Sequence, residues 1–107
     1  MLHIGIDEYV FAVLMPDLVG HDHSPSAFLV YLFLWAELYR SEQKRVAVSL
    51  QQIAEGTGLS KSAVQSGMKI LRRRRLVMVY RNSATATPEY ELVRHWIRRR
   101  AKSVAQR

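Results

Sequence analysis

The chain has 107 residues, of which 49% are apolar and 23% are charged. This composition predicts one folded domain over residues 1–107 and excludes the low-hydrophobicity, high-charge class of disordered chains. Cysteine is absent, which excludes disulfides, cysteine nucleophiles and thiolate zinc sites. The longest apolar run, ten residues from Ala27 to Ala36, is about half as long as a membrane-spanning helix. No secretory signal is recognised after Met1, so we expect a soluble cytoplasmic protein with no membrane partner.

The charge is distributed unevenly along the chain. The net charge is +7, but residues 1–40 hold one arginine against five acidic residues, a net charge of −4. Residues 41–107 hold fifteen lysines or arginines against four acidic residues, a net charge of +11. This asymmetry predicts that the second part of the chain meets a polyanion. Nucleic acid is the leading candidate for that polyanion, and an anionic membrane surface is the second.

The first predicted element is an N-terminal segment, residues 1–23, that covers the core. Within it Tyr9–Met15 forms either a strand or a short helix, and His21–His23 forms a polar connector. Ser24 and Pro25 are typical of a helix start and predict a helix from Pro25 to about Tyr39. Because this helix is apolar on all sides, we expect it to be buried on more than one side. Part of that surface, over residues 25–40 and the N-terminal segment, is predicted to form a homodimer interface.

Two helices and a hairpin are predicted next. Ser49 and Gln52 have the spacing of a capping box, Gly56–Gly58 is predicted to break the first helix, and Ser60 caps the second. Beyond the hairpin we expect a basic C-terminal helix and tail over residues 94–107, with Trp96 and Ile97 docked on the core. The predicted elements are a strand at Val46–Val48, helices at Leu50–Glu55 and Lys61–Arg74, and strands at Val77–Tyr80 and Glu89–Val93.

The two short helices carry the most informative spacing in the sequence. A tight turn between two helices needs a small residue where they cross, a glycine in a left-handed conformation and a branched apolar anchor. Ala54, Gly58 and Val64 supply these three features. The exposed side of the second helix then carries residues that hydrogen-bond to bases and phosphates: Lys61, Ser62, Gln65, Ser66 and Lys69.

On these residues the chain resembles the winged helix-turn-helix superfamily, and Ser24–Tyr31 is similar to bacterial regulators and to plasmid or phage replication proteins. The resemblance covers about residues 24–93, the predicted core. It implies an α+β fold, mainly α, with a three-helix core and a β-hairpin wing. The helix over 61–74 is implied to lie in the DNA major groove, and the wing over 81–88 to touch the backbone or minor groove. Two departures are Gly67, which indicates a close helix approach, and Arg75, which stands where glycine commonly ends this helix.

Each candidate contact has a plain structural alternative. We expect about two arginines of the run Arg72–Arg75, taken as Arg72 and Arg73, to bind phosphates; otherwise the run is a solvated helix end. Gln65 is suited to adenine, and Lys61 or Lys69 to guanine. Arg81, Asn82 and Ser83 are predicted to contact DNA from the wing tip, although Asn-Ser is also ordinary turn chemistry. Arg98–Arg100 and Lys102 either extend the DNA footprint or are solvated.

The predicted function is sequence-specific binding of double-stranded DNA, as a transcriptional regulator that acts by occupying its operator. A plasmid or phage replication or partition protein, a winged-helix protein-interaction module without DNA and an anionic-surface binder remain as alternatives. An enzyme is not expected, because no catalytic arrangement or phosphate-binding loop is found. His21 and His23 lack further ligands of a metal site, so no metal and no cofactor are predicted.

Overall fold

A computed structural model describes residues 3–97. In that range the chain forms an α+β fold, which is the predicted class, and its three strands pair antiparallel in the order β1-β3-β2. The hairpin register pairs Val79 with Tyr90, and β1 pairs Val46 with the same Tyr90. The elements are α1 (Pro25–Ser41), β1 (Val46–Ala47), α2 (Leu50–Thr57), α3 (Lys61–Arg73), β2 (Val77–Tyr80) and β3 (Glu89–Leu92).

All three predicted helix starts are confirmed. The hydroxyl of Ser24 accepts a hydrogen bond from the backbone N–H three residues later, and so does that of Ser60. At α2 the capping box is complete: Ser49 accepts from the Gln52 N–H at 3.1 Å, and the Gln52 side chain accepts from the Ser49 N–H at 2.8 Å. These bonds satisfy N–H groups that a helix leaves unpaired, and they fix where each helix begins.

The helix ends differ from the prediction by one or two residues. Gly56 and Thr57 do not break α2, which ends only at Gly58, where a φ of +83° places the glycine in the predicted left-handed conformation. The helix predicted over 61–74 ends at Arg73. Arg75 then adopts a φ of +58°, the left-handed position that glycine commonly takes in this type of helix end.

The hydrogen bonds after α3 explain this ending. The Leu76 N–H donates to the Leu71 carbonyl at 2.9 Å, and the Arg75 N–H donates to the Arg72 carbonyl at 3.0 Å. This is the Schellman arrangement, in which an apolar residue after the turn packs back on the helix. Leu71 and Leu76 are both buried. Their burial holds Arg75 in its strained conformation.

Helix α1 lies at the centre of the core, and other segments of the same chain cover most of its surface. The apolar surface that predicted a dimer interface on α1 is therefore largely used inside the monomer. Of the residues in its apolar run, only Leu29 is exposed, at 40%. The buried residues of α1 are Ala27, Phe28, Val30, Tyr31, Leu34 and Trp35.

The N-terminal segment is helical, and the strand alternative for Tyr9–Met15 is wrong. Wide π turns run over Val10–Leu14 and Pro16–His21, so the helical segment takes in His21, which was predicted to lie in the connector. Their inward side chains, such as Leu18, are buried against the core. This confirms that the segment covers α1.

Gly67 marks a close approach of α3 to α1, as predicted. A methyl group added to Gly67 would lie 2.9 Å from the backbone nitrogen of Ala27 and 3.0 Å from its Cα. Those atoms belong to the first turn of α1 and cannot rotate away as a side chain would. The absence of a side chain at Gly67 therefore sets how deeply α3 packs on α1.

The part of the predicted C-terminal helix that is described, residues 94–97, forms a turn instead. Trp96 docks as expected: its ring stacks on Tyr9 at 4.5 Å, and its indole N–H donates to Asp7 at 3.0 Å. Ile97 does not dock, since it is 42% exposed. The predicted contacts of Arg98–Arg100 and Lys102 lie outside the described residues. Between residues 3 and 97, no helix has the length and apolar character needed to cross a bilayer.

Candidate nucleic-acid interface

The candidate interface is built on α3, which is amphipathic. Val64, Met68 and Leu71 recur at helical spacing and are buried against the core, so the opposite side of the helix faces solvent. All five residues predicted for the outer face are exposed, as are Arg72 and Arg73. The sequence pattern therefore placed the two sides of α3 correctly.

A groove separates the exposed side of α3 from the β2–β3 hairpin. Its volume is about 540 Å³, and its lining includes four side chains that the sequence did not assign to the site: Leu50, Met68, Val79 and Tyr90. Six predicted site residues lie along it: Ser62, Gln65, Ser66, Lys69, Arg72 and Arg81. The fold thus brings the outer face of α3 and the start of the hairpin loop into one concave surface.

Four predicted site residues do not line this groove. Lys61 begins α3, and Arg73 ends it on an exposed side. Asn82 and Ser83 lie in the β2–β3 loop and are also exposed. The structure leaves all four accessible but does not bring them together with the other six.

Tyr90 lies where the cations of α3 and the hairpin converge. Its side chain is buried, and burial raises the pKa of its hydroxyl, because a phenolate would lose its hydration. The positive charges of Arg81 and Arg72 act in the opposite direction on the same pKa. Arg72 from α3 and Arg81 from the hairpin therefore both lie close enough to Tyr90 to influence the pKa of its hydroxyl.

No acidic residue occurs between Glu55 and Glu89, whereas seven lysines or arginines do. The nearest carboxylates along the sheet, Glu89 and Glu91, are engaged elsewhere. Both lie 3.8 Å from Arg45, and Glu91 also accepts a hydrogen bond from the Tyr80 hydroxyl at 2.9 Å. Because side chains alternate along a strand, these carboxylates lie on the face of β3 opposite to Tyr90. The groove side keeps an uncompensated positive charge.

Arg74 is not one of the two arginines predicted to bind phosphate, and it pairs with acidic residues instead. Its Nε donates to Asp22 at 2.7 Å, and its Nη2 lies 3.2 Å from Asp17. Asp22, predicted to be part of a connector, is only 10% exposed at its side chain. A hydrogen bond from His21 lowers the pKa of Asp22, and Arg74 lowers it further against the effect of burial. We call Asp17, Asp22 and Arg74 the clasp, since it ties the N-terminal segment to the end of α3.

The β2–β3 loop holds its own polar groups more closely than predicted. Arg81 donates from Nη1 to the carbonyl oxygens of Ala84 and Ala86 at 3.3 and 3.4 Å. The Ser83 hydroxyl accepts from the Ala86 N–H at 3.2 Å, which is ordinary turn chemistry. Arg81 is nevertheless exposed, so its remaining N–H groups face solvent at the edge of the groove.

No protein-family model, curated protein or solved structure matches this chain. A fold by itself does not determine a function. The functional argument therefore depends on the geometry and the charge of the groove.

Proposed function

We propose that this chain is a winged helix-turn-helix protein that binds double-stranded DNA with α3 and the β2–β3 hairpin. The observation that carries the proposal is the groove beside α3, an exposed cationic surface with polar side chains and no carboxylate between residues 56 and 88. Such a surface is suited to a polyanion. The element order and the sheet order β1-β3-β2 support the family resemblance, with the hairpin as the wing.

The role that we propose for each residue follows from where its side chain lies. Gln65 is exposed near the middle of α3, where it is placed to pair with an adenine edge, and Lys61 or Lys69 to pair with guanine. Arg72 and Arg81 flank the groove and bind phosphates, which adds affinity without sequence preference. Ser62 and Ser66 supply short hydrogen-bond donors on the same face.

In this proposal the protein is a regulator that acts by occupying an operator in the DNA of the cytoplasmic nucleoid. The described helices and sheet belong to one packed core. On its α3 side the exposed cations include Lys61, Lys69, Arg72, Arg73 and Arg81. Repression would then result from blocking the site. A homodimer would read an inverted repeat, because protein and operator would share a two-fold axis.

The test is to incubate the protein with random genomic fragments at low salt and to sequence the retained DNA. We expect enrichment of one short inverted repeat. The matched control is the double variant Lys69→Glu with Arg72→Glu, which changes only exposed side chains and should retain almost nothing. Clustered direct repeats would instead indicate a replication protein, and failure of the folded wild-type protein to retain any DNA would overturn the proposal.

A further inference from the structure

Residues 10–21 repeat a pattern of four residues: Val-Phe-Ala-Val, Leu-Met-Pro-Asp and Leu-Val-Gly-His. The first position of each repeat faces the core, with Val10, Leu14 and Leu18 at most 3% exposed. In an α-helix of 3.6 residues per turn this stripe would drift around the axis. The wide π turns bring the helix closer to the period of the repeat. Each position of the repeat therefore keeps its own side of the segment.

The second and third positions form the outer side, which we call the N-terminal face. Its large residues are Phe11, Met15 and Val19, which are 43%, 40% and 36% exposed. Its small residues are Ala12, Pro16 and Gly20, which are also exposed. None of the six has a polar side chain, so the face is a continuous apolar surface.

Isolated exposed apolar residues are common in proteins, but a continuous strip of them marks an interaction site. The N-terminal face is also held rigidly. The ring of Phe11 packs edge-on against Phe28 of α1 at 6.3 Å, and the clasp fixes the other end of the segment through Asp17 and Asp22. A rigid apolar face loses little conformational entropy when a partner covers it.

We propose that a second copy of this chain covers the N-terminal face, with the two segments antiparallel across a two-fold axis near Met15. The side chains of the first row decrease in size from Phe11 through Met15 to Val19, and the second row ends in Gly20, which has no side chain. Antiparallel pairing therefore places Phe11 of one copy over Gly20 of the other, so the largest side chain meets the smallest. A two-fold interface requires this kind of self-complementarity.

The polar side chains at the two ends of the face favour the same arrangement. Glu8 lies exposed before the face and His21 lies exposed after it. Antiparallel pairing puts the carboxylate of one copy beside the imidazole of the other, whereas parallel pairing would bring the two Glu8 side chains together. No lysine or arginine occurs between residues 3 and 39, so the face lacks the cations with which surface helices bind anionic lipid. A second copy fits this face better than a membrane does.

The sequence predicted a homodimer interface over residues 25–40 and the N-terminal segment, whereas the interface proposed here uses the N-terminal segment alone. Leu29, the exposed residue in the apolar run of α1, lines a separate groove beside α2. The pairing stands independently of DNA binding. Only its consequence, that two copies of α3 meet one duplex, depends on the proposed function.

The first test measures mass in solution by light scattering at about 100 µM chain, without DNA. We expect twice the mass of one chain for the wild type and a single mass for Met15→Glu, which would bring two carboxylates together at the axis. The matched control is Leu29→Glu, an equally exposed leucine on α1, which should stay dimeric. Loss of the dimer in Leu29→Glu but not in Met15→Glu would overturn the proposal, and so would a monomeric wild type.

The second test uses the absence of cysteine from the chain. Under mild oxidation Met15→Cys should crosslink to itself. Phe11→Cys and Gly20→Cys should each crosslink poorly alone but efficiently when mixed in equal amounts. Efficient self-crosslinking of Phe11→Cys would indicate a parallel pair and overturn the arrangement. A wild type that stays monomeric and sediments with phosphatidylserine vesicles would assign the face to a lipid surface instead.

Discussion

The N-terminal segment and α3 both pack on α1, but they present opposite surfaces to solvent. The outer side of the first is apolar, with Glu8 before it and His21 after it, and that of the second is polar and cationic. The clasp between Arg74 and Asp22 joins them. Arg74 therefore pairs with acidic residues of the N-terminal segment, although its neighbours in sequence lie on the cationic side of α3.

The neighbouring arginines differ because their side chains point in different directions around the end of α3. Consecutive residues of a helix point about 100° apart, so a run of arginines cannot all face one ligand. Arg72 points into the groove, Arg73 lies exposed and Arg74 turns toward the N-terminal segment. The net charge of such a run therefore overstates the charge that it offers to DNA.

The largest expected effect comes from the contact that sets α3 on α1. Gly67→Ala should destabilise the fold by about 2 to 3 kcal/mol, because the new methyl group meets the α1 backbone, which outweighs a helix-propensity gain of about 1 kcal/mol. Chemical denaturation measures the change. Ser66→Ala, the preceding exposed residue, is the control and should be neutral. Equal stability of both variants would contradict the close approach.

The next prediction tests whether the exposed side of α3 distinguishes one DNA sequence from another. Gln65→Ala should lose about 2 kcal/mol of discrimination at one base position, the worth of a bidentate pair, while binding to unrelated DNA hardly changes. Competition binding with operator variants at each position measures this. An unchanged preference at every position would mean that Gln65 does not face the bases.

A smaller effect distinguishes Arg74 in the clasp from Arg73, which is exposed. Arg74→Gln should lower the free energy of unfolding by about 1 to 2 kcal/mol, because it leaves Asp22 without its charged partner. Arg73→Gln, one residue earlier and exposed, should change it by less than about 0.5 kcal/mol. Thermal and chemical unfolding of both variants measure the difference. Identical curves would place Arg74 among the solvated arginines.

The smallest effect is a pH dependence of the clasp. The pKa of Asp22 is lowered in the folded state from its ordinary value of 3.8. A lowered folded pKa adds stability that is present above the unfolded value and is lost as the pH falls through the folded value. Asp22→Asn should therefore cost about 1 kcal/mol at pH 7, and this cost should shrink below about pH 4. A cost that stays constant down to pH 2 would contradict this role of the carboxylate.

Local chemistry made much of the fold predictable. Ser24, Ser49 and Ser60 cap their helices because their hydroxyls satisfy nearby N–H groups, and Gly58 takes the conformation that its turn needs. The sequence was less informative where distant segments meet. Nothing near Arg74 in the sequence indicates Asp22, which lies 52 positions away. The sequence placed Arg75 where glycine commonly ends such a helix, but it did not indicate that the burial of Leu76 would hold an arginine in that conformation.

The candidate site was predictable in part for the same reason. Helical periodicity identifies the exposed side of α3, so the predicted residues of that face are accessible. Periodicity does not show which loop residues the hairpin brings alongside. Strand register determines that Arg72 and Arg81 converge on Tyr90. It also determines that Arg81 donates to carbonyl oxygens of its own loop. That register is set by pairing across the sheet rather than by neighbours in sequence.

The most direct test of the account is the salt dependence of binding to double-stranded DNA, compared for Arg72→Gln and Arg74→Gln. The slope of log affinity against log salt concentration becomes shallower by about 0.9 for each phosphate that the protein no longer neutralises. We predict that this change occurs for Arg72→Gln and that the slope of Arg74→Gln matches the wild type, provided that both variants are folded. An equal change for the two variants, or no binding by the wild type at low salt, would contradict the account.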